Sequence, residues 1–163
     1  MIPHIKKILY ATDLSKNSIY AFYYAVDMAK KYDAEICILH VVAHMSATFG
    51  GRTVKLQEGK PEAAITVIKE HLQKFCNKKE EKENLPCVAH VAKILVHIGE
   101  PIEEILKVAD QEGCDLIVLG NHGKGFVKRT LLGTVARSVM DRAKKPVFLI
   151  PLPSEENLVL DET

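Results

Sequence analysis

Tryptophan is absent from this chain and aromatic residues make up only 6% of it. That leaves no evident platform on which successive bases of a single strand could stack. Charge of one sign is also missing: the formal net charge is +1, so nothing draws the chain generally toward nucleic acid or anionic lipid. Neither a nucleic acid nor a membrane is expected as a partner. Cysteines are few, and Cys37, Cys76, Cys87 and Cys114 form no C-x-x-C pair and have no histidine at zinc-finger spacing, so they read as reduced core residues. No run of about eighteen uncharged apolar residues occurs. The start, Met1 to Lys7, has neither a long apolar core nor a cleavage pattern, and the expectation is a soluble, cytoplasmic protein. Also missing are a G-x-S-x-G elbow, a G-x-x-x-x-G-K-[ST] loop and an evident pair of catalytic carboxylates.

What is present suffices for one domain. With 163 residues and 47% hydrophobic composition, the chain can bury roughly two thirds of its unfolded surface. Residues 1–153 read as a single domain and 154–163 as an acidic, unpatterned tail, expected to be mobile. Lys7 to Asp13 predicts a buried strand ending in a polar turn, and Ser15 to Tyr32 a helix with Ala21, Ala25, Met28 and Ala29 on one face. Glu35 to Val42 predicts a second strand. Ala43 to Lys60 has no period and contains Gly50-Gly51, which predicts a long loop at that strand's carboxyl end.

Pro61 opens a second helix with Ala64, Ile65, Ile68, Leu72 and Phe75 at helical spacing, and the charge run Lys78 to Glu83 extends or follows it. A third strand, Val91 to Ile98, turns through Gly99-Glu100-Pro101 into a helix carrying Ile102, Ile105, Leu106 and Ala109. The apolar run Asp115 to Leu119 is a fourth strand, and Val147 to Ile150, bracketed by prolines, a fifth at a sheet edge. Strands alternating with four helices imply an α/β fold: a parallel sheet, right-handed crossovers and helices on both faces.

Ligands of such sheets bind beyond the carboxyl ends of the strands, where strand order reverses. Asp13, Val41 and the segment Gly120 to Thr134, G-N-H-G-K-G-F-V-K-R-T-L-L-G-T, all fall at that end. Glycine inside a helix costs about 1 kcal/mol relative to alanine, so Gly133 belongs at a helix entrance, with Thr134 as its first hydroxyl-bearing cap. Val135, Val139 and Ala143 then repeat on one face. Free N–H groups at such an entrance bind anions, glycine admits them closely, and Gly120 and Gly123 wrap the other side, with Lys124, Lys128 and Arg129 adding positive charge.

The spacing Gly120-x2-Gly123-x9-Gly133-Thr134, the strand end Ala11-Thr12-Asp13, the His40-Val41-Val42 strand end and the closing Pro146-Val147 strand together resemble the universal stress protein family, in its ATP-binding branch. The resemblance implies a three-layer Rossmann-like (adenine nucleotide alpha hydrolase-like) fold with five parallel strands in the order 3-2-1-4-5. It implies that phosphates lie on the backbone of Gly120, Gly123, Gly133, Thr134 and Val135, with the Thr134 hydroxyl as a further donor. Asp13 and Val41 would hold the adenosine end, and Ala11, Thr12, Leu119 and His122 would complete the lining. The implied ligand is ATP, or ADP or AMP, with magnesium or manganese carried by the phosphates. The implied partner is a second copy, paired along Val147 to Ile150. The function implied is that of a stress-response nucleotide-binding module with little or no efficient catalysis.

Other readings compete. Asp13 could cap the first helix, although Ser15 is equally suited. His122 could donate to a phosphate or act as an acid, or be only a solvated loop side chain. His40 and His44 are four apart on a strand and its loop, without helical metal-site geometry. His97-Ile98-Gly99-Glu100 superficially matches the H-I-G-H signature of nucleotidyl-transfer enzymes, but its fourth residue is glutamate and it follows the third strand rather than the first. The same pocket could serve a nucleotide hydrolase or adenylyl-transfer enzyme using His122 or Lys124. The chain could also be a structural interaction protein.

Overall fold

The computed structural model describes residues 2–15, 18–43, 46–49, 52–55, 61–83, 87–121 and 133–153. Its elements, in chain order, are β1 (Lys7–Ala11), α1 (Ile19–Tyr32), β2 (Glu35–Val42), β3 (Ser46–Phe49), β4 (Arg52–Lys55), α2 (Pro61–Glu83), α3 (Cys87–His90), β5 (Val91–Ile98), α4 (Pro101–Gln111), β6 (Leu116–Gly120), α5 (Thr134–Arg142) and β7 (Val147–Ile150). Five strands form one parallel sheet in the order β5-β2-β1-β6-β7, which is third, second, first, fourth, fifth along the chain. That is the expected α/β topology. Four helices make the crossovers, and α3 is a single extra turn before β5.

The central strands are mostly apolar because both faces are covered, and the strand period of two divides their side chains between two cores. Ile8, Tyr10, Ile36, Ile38, Leu116 and Val118 meet α1 and α2 on one face. Leu9, Cys37, Leu39, Ile117 and Leu119 meet α4 and α5 on the other. Cys37, Cys76 and Cys114 are buried and in no disulfide, as expected. The run Lys78 to Glu83 continues α2 to its end.

Three local expectations are corrected. The stretch read as an unstructured Ala43–Lys60 loop contains a hairpin, in which β3 and β4 pair antiparallel from Ser46↔Lys55 to Phe49↔Arg52. Only Gly50 and Gly51 separate its innermost pair, a spacing suited to a two-residue hairpin connection. Four-residue strands are too short to reveal a period of two.

The first helix begins at Ile19 rather than Ser15. Short polar side chains compete with the helical backbone there, as the site geometry shows, and Leu14 sits at φ 65°, outside the right-handed region. On α5 the buried positions are Ala136 and Val139, while Val135 is exposed. Gly133 is itself the N-cap, which puts Thr134 inside the helix rather than at its cap and rotates the inward face by one residue.

Candidate functional site

β1 is the point of reversal in the sheet. The chain leaves it through α1 toward β2 and β5 on one side, and later returns through β6 and α5 to β7 on the other. Since α1 packs on one face and α5 on the opposite face, the carboxyl ends of β1 and β6 form the switch point at which sheets of this kind take their ligands. The registers Tyr10↔Val118 and Ala11↔Leu39 bring Ala11, Thr12 and Asp13 to the same sheet end as Val41, Leu119 and Gly120. Leu119 itself is buried in the core beneath.

On the β1 side, Thr12 N–H donates to Leu39 O (2.9 Å), carrying the ladder one residue past the strand. His40, which the sequence placed at the end of the second strand without this role, is buried, and its Nδ1–H donates to the Thr12 carbonyl (2.8 Å). A histidine inside an otherwise apolar strand run is the signal that could have found it, because a buried imidazole must have a partner.

Beyond Thr12 the backbone is held by hydroxyls. Thr12 Oγ1 accepts from Leu14 N–H (3.1 Å) and donates to Ser18 Oγ (3.0 Å), which donates to Ser15 O (2.6 Å). Tyr10 OH donates to Ser18 O (2.8 Å), and burial pushes its hydroxyl up to about 12, so it stays a neutral donor. Asp13 Oδ1 accepts from both the N–H (2.9 Å) and the hydroxyl (2.5 Å) of Ser15. Asp13 therefore closes a local turn ahead of α1 rather than capping it; Ser18 stands at the N-cap, without a side-chain capping bond.

On the β6 side, Gly133 caps α5 with extended backbone and no side-chain capping bond. The first intrahelical bond runs from Arg137 N–H to Gly133 O (3.0 Å). The N–H groups of Thr134, Val135 and Ala136 thus have no acceptor within the helix and stand at its positive end, while Thr134 and Val135 are exposed. Gly133 N–H is used by Asn121 O (2.8 Å). Gly120 has a packing reason of its own: a Cβ there would lie 2.3 Å from Leu152 Cδ1. His122, Gly123, Lys124, Lys128 and Arg129 lie outside the described residues, as do His44 and the acidic tail.

Chemically, this end of the sheet offers a carboxylate and carbonyl edge on one side and a row of N–H donors with a hydroxyl on the other. Among the described residues no three His, Cys, Asp or Glu side chains converge as a metal site, and no helix is long and apolar enough to cross a membrane.

The family model described as "Universal stress protein family" matches residues 4–151. Universal stress protein MJ0577 of Methanocaldococcus jannaschii is 32% identical over 155 residues, covering 89% of this chain and 94% of its own length. Universal stress protein MJ0531 of the same organism is 34% identical over 152 residues, covering 93% and 85%. The solved structure of MJ0577 matches with a TM-score of 0.60 at 29% identity, over 91% of this chain and 96% of that one. A universal stress protein solved in complex with cAMP matches with a TM-score of 0.58 at 22% identity, over 91% and 98%, a likeness of fold.

Proposed function

The chain belongs to the universal stress protein family, and from that premise we propose that it is a regulatory module that binds ATP, or ADP or AMP, and turns it over little or not at all. The observation that carries this reading is the placement of two unlike surfaces on either side of the switch point between β1 and β6. The open first turn of α5 presents N–H groups from Thr134 and Val135 to an anion, and the β1 end presents Asp13 and backbone to a sugar and base. Adenine nucleotides combine both needs, and the related protein solved with cAMP lends support from the same family.

In this reading the phosphates rest on Thr134 and Val135, with Gly120, Gly123, Gly133 and His122 around them, and the Thr134 hydroxyl is a further donor. Asp13 accepts from ribose hydroxyls, while Val41, Thr12, Ala11 and Leu119 shape the adenosine end. Magnesium or manganese would be carried by the phosphates and would screen their charge, and the exposed Thr134 would offer a hard neutral oxygen at the same entrance. Two copies pair along Val147 to Ile150, the functional unit is 1–153, and the protein acts in the cytoplasm.

Isothermal calorimetry of the pure protein with ATP and magnesium tests the proposal. Saturable one-site binding is expected, lost on combining Gly123→Val with Gly133→Val. An absence of heat and of any nucleotide in the denatured pure protein would sink it. Single-turnover incubation should return ATP largely unchanged; rapid stoichiometric conversion would make the protein an enzyme instead.

A further inference from the structure

Asn121 joins two parts of the molecule that are far apart in sequence. Its backbone N–H donates to Ile150 O (2.9 Å), the last residue of β7. Its side-chain Oδ1 accepts from Leu152 N–H (3.1 Å), just beyond that strand. Its carbonyl accepts from Gly133 N–H (2.8 Å), the N-cap of α5. Leu152 is buried and sits over Gly120, the residue before Asn121, so the short strap Pro151-Leu152-Pro153 is anchored by packing as well as by hydrogen bonds.

The direction of control follows from these bonds. The first turn of α5 has no side-chain cap, and the bond that fixes the backbone N–H of its N-cap comes from Asn121 O. Asn121 is in turn fixed at two of its polar groups, its N–H by Ile150 at the end of β7 and its Oδ1 by Leu152 of the strap. We propose that Asn121 is a positioning residue for phosphate recognition, and that residues 151–153 belong to the frame of the nucleotide site; this rests on the nucleotide reading above. The residue type fits the task. Alanine would supply the two backbone bonds but not the third. Aspartate would supply all three, yet put a negative charge beside the place an anion occupies. Asparagine offers a neutral acceptor of the right reach.

The test compares ATP with adenosine, because only ATP uses the α5 entrance. Asn121→Ala is expected to weaken ATP at least fivefold while adenosine changes less than twofold. Asn121→Asp, which keeps the acceptor for Leu152, is expected to hold the melting temperature of the parent chain yet still weaken ATP selectively. A chain ending at Pro153 should match the full chain, whereas one ending at Ile150 should lose ATP selectively. Should that shorter chain fail to fold, Leu152→Pro, which removes both anchors of the strap, the donated N–H and the leucine side chain over Gly120, carries this arm. Equal proportional losses for ATP and adenosine in Asn121→Ala, or unchanged ATP binding, overturn the positioning role. If the parent chain itself binds neither ligand, the nucleotide reading fails first and this inference falls with it.

Discussion

Leu152 lies directly over the α-carbon of Gly120, so that a methyl group at position 120 would come within 2.3 Å of its Cδ1 and 2.8 Å of its Cγ. The second distance decides the cost, because Cγ cannot swing away without moving the whole side chain from its buried seat. Gly120→Ala is expected to destabilise the protein by about 1–3 kcal/mol, as overpacking generally does. Combining it with Leu152→Ala, which empties the seat, should make the two changes strongly non-additive, leaving the double variant close to Leu152→Ala alone. Urea unfolding of the four proteins in the cycle checks this. Simple additivity would show that Gly120 is retained for some other reason.

His40 holds the Thr12 carbonyl from a buried position at 2.8 Å, and that carbonyl begins the turn carrying Asp13. His40→Leu keeps the volume roughly but removes the donor, so the acceptor is left unpaired beneath the site. The expected loss is about 1–3 kcal/mol of stability, together with weaker ATP binding through a displaced Asp13. Thermal unfolding and calorimetry on the same sample decide it. A variant as stable as the parent chain would mean that the carbonyl finds water or another donor without cost.

The parallel sheet was legible because the central strands are mostly apolar runs and each long helix repeats its apolar residues every three or four positions, whereas the strand order was implied by the family resemblance. Ala21, Ala25 and Ala29 show the second pattern, and Ile36 to Leu39 the first. Short-range competition was not legible. The start of α1 is set by hydroxyl and carboxylate bonds among Thr12, Asp13, Ser15 and Ser18 rather than by apolar period. The β3–β4 hairpin is made of strands too short to carry a pattern. At the candidate site, glycine spacing located the α5 entrance, but it could not reveal that Gly120 accommodates Leu152 or that Asn121 bonds to both the strap and Gly133. Those relationships join residues about thirty and twelve positions apart, by contacts that no local pattern encodes.

Three buried groups make the fold sensitive to alkali. Burial pushes the thiol of Cys37 up to about 12 and that of Cys114 up to about 11, from an ordinary 9.0, and the Tyr10 hydroxyl up to about 12, from 10.0. In each case the neutral form is favoured in the folded state and the anion in the unfolded chain. Their contribution to stability is therefore fully present below about pH 9 and is lost progressively as the pH climbs toward 11–12. Urea midpoints should hold steady from pH 7 to 8.5 and fall beyond it. Cys37→Ala with Cys114→Ala should flatten the fall between pH 9 and 10, whatever it does to absolute stability, and leave the later part owed to Tyr10. The thiols of Cys37 and Cys114 should also resist iodoacetamide in the folded protein until urea is added. Rapid alkylation of Cys37 in the folded protein would contradict the buried, neutral thiol.

β7 ends the sheet, and among the described residues no strand covers its outer edge. Phe148 is 37% exposed on that strand, and its ring meets Tyr24 of α1, itself 50% exposed, edge-on at 6.2 Å between centroids. An exposed edge beside two aromatic rings invites pairing with a second copy, in which each strand supplies the other's missing hydrogen-bond partners. Sedimentation equilibrium at tens of micromolar should therefore give a dimer for the parent chain. Phe148→Glu places a carboxylate in that contact and is expected to yield a folded monomer with the helical signal intact. Tyr24→Ala, which removes the flanking ring but leaves the strand edge unchanged, should weaken the dimer without abolishing it. A monomeric parent chain would refute pairing along β7, and a dimer indifferent to Phe148→Glu would move the interface elsewhere.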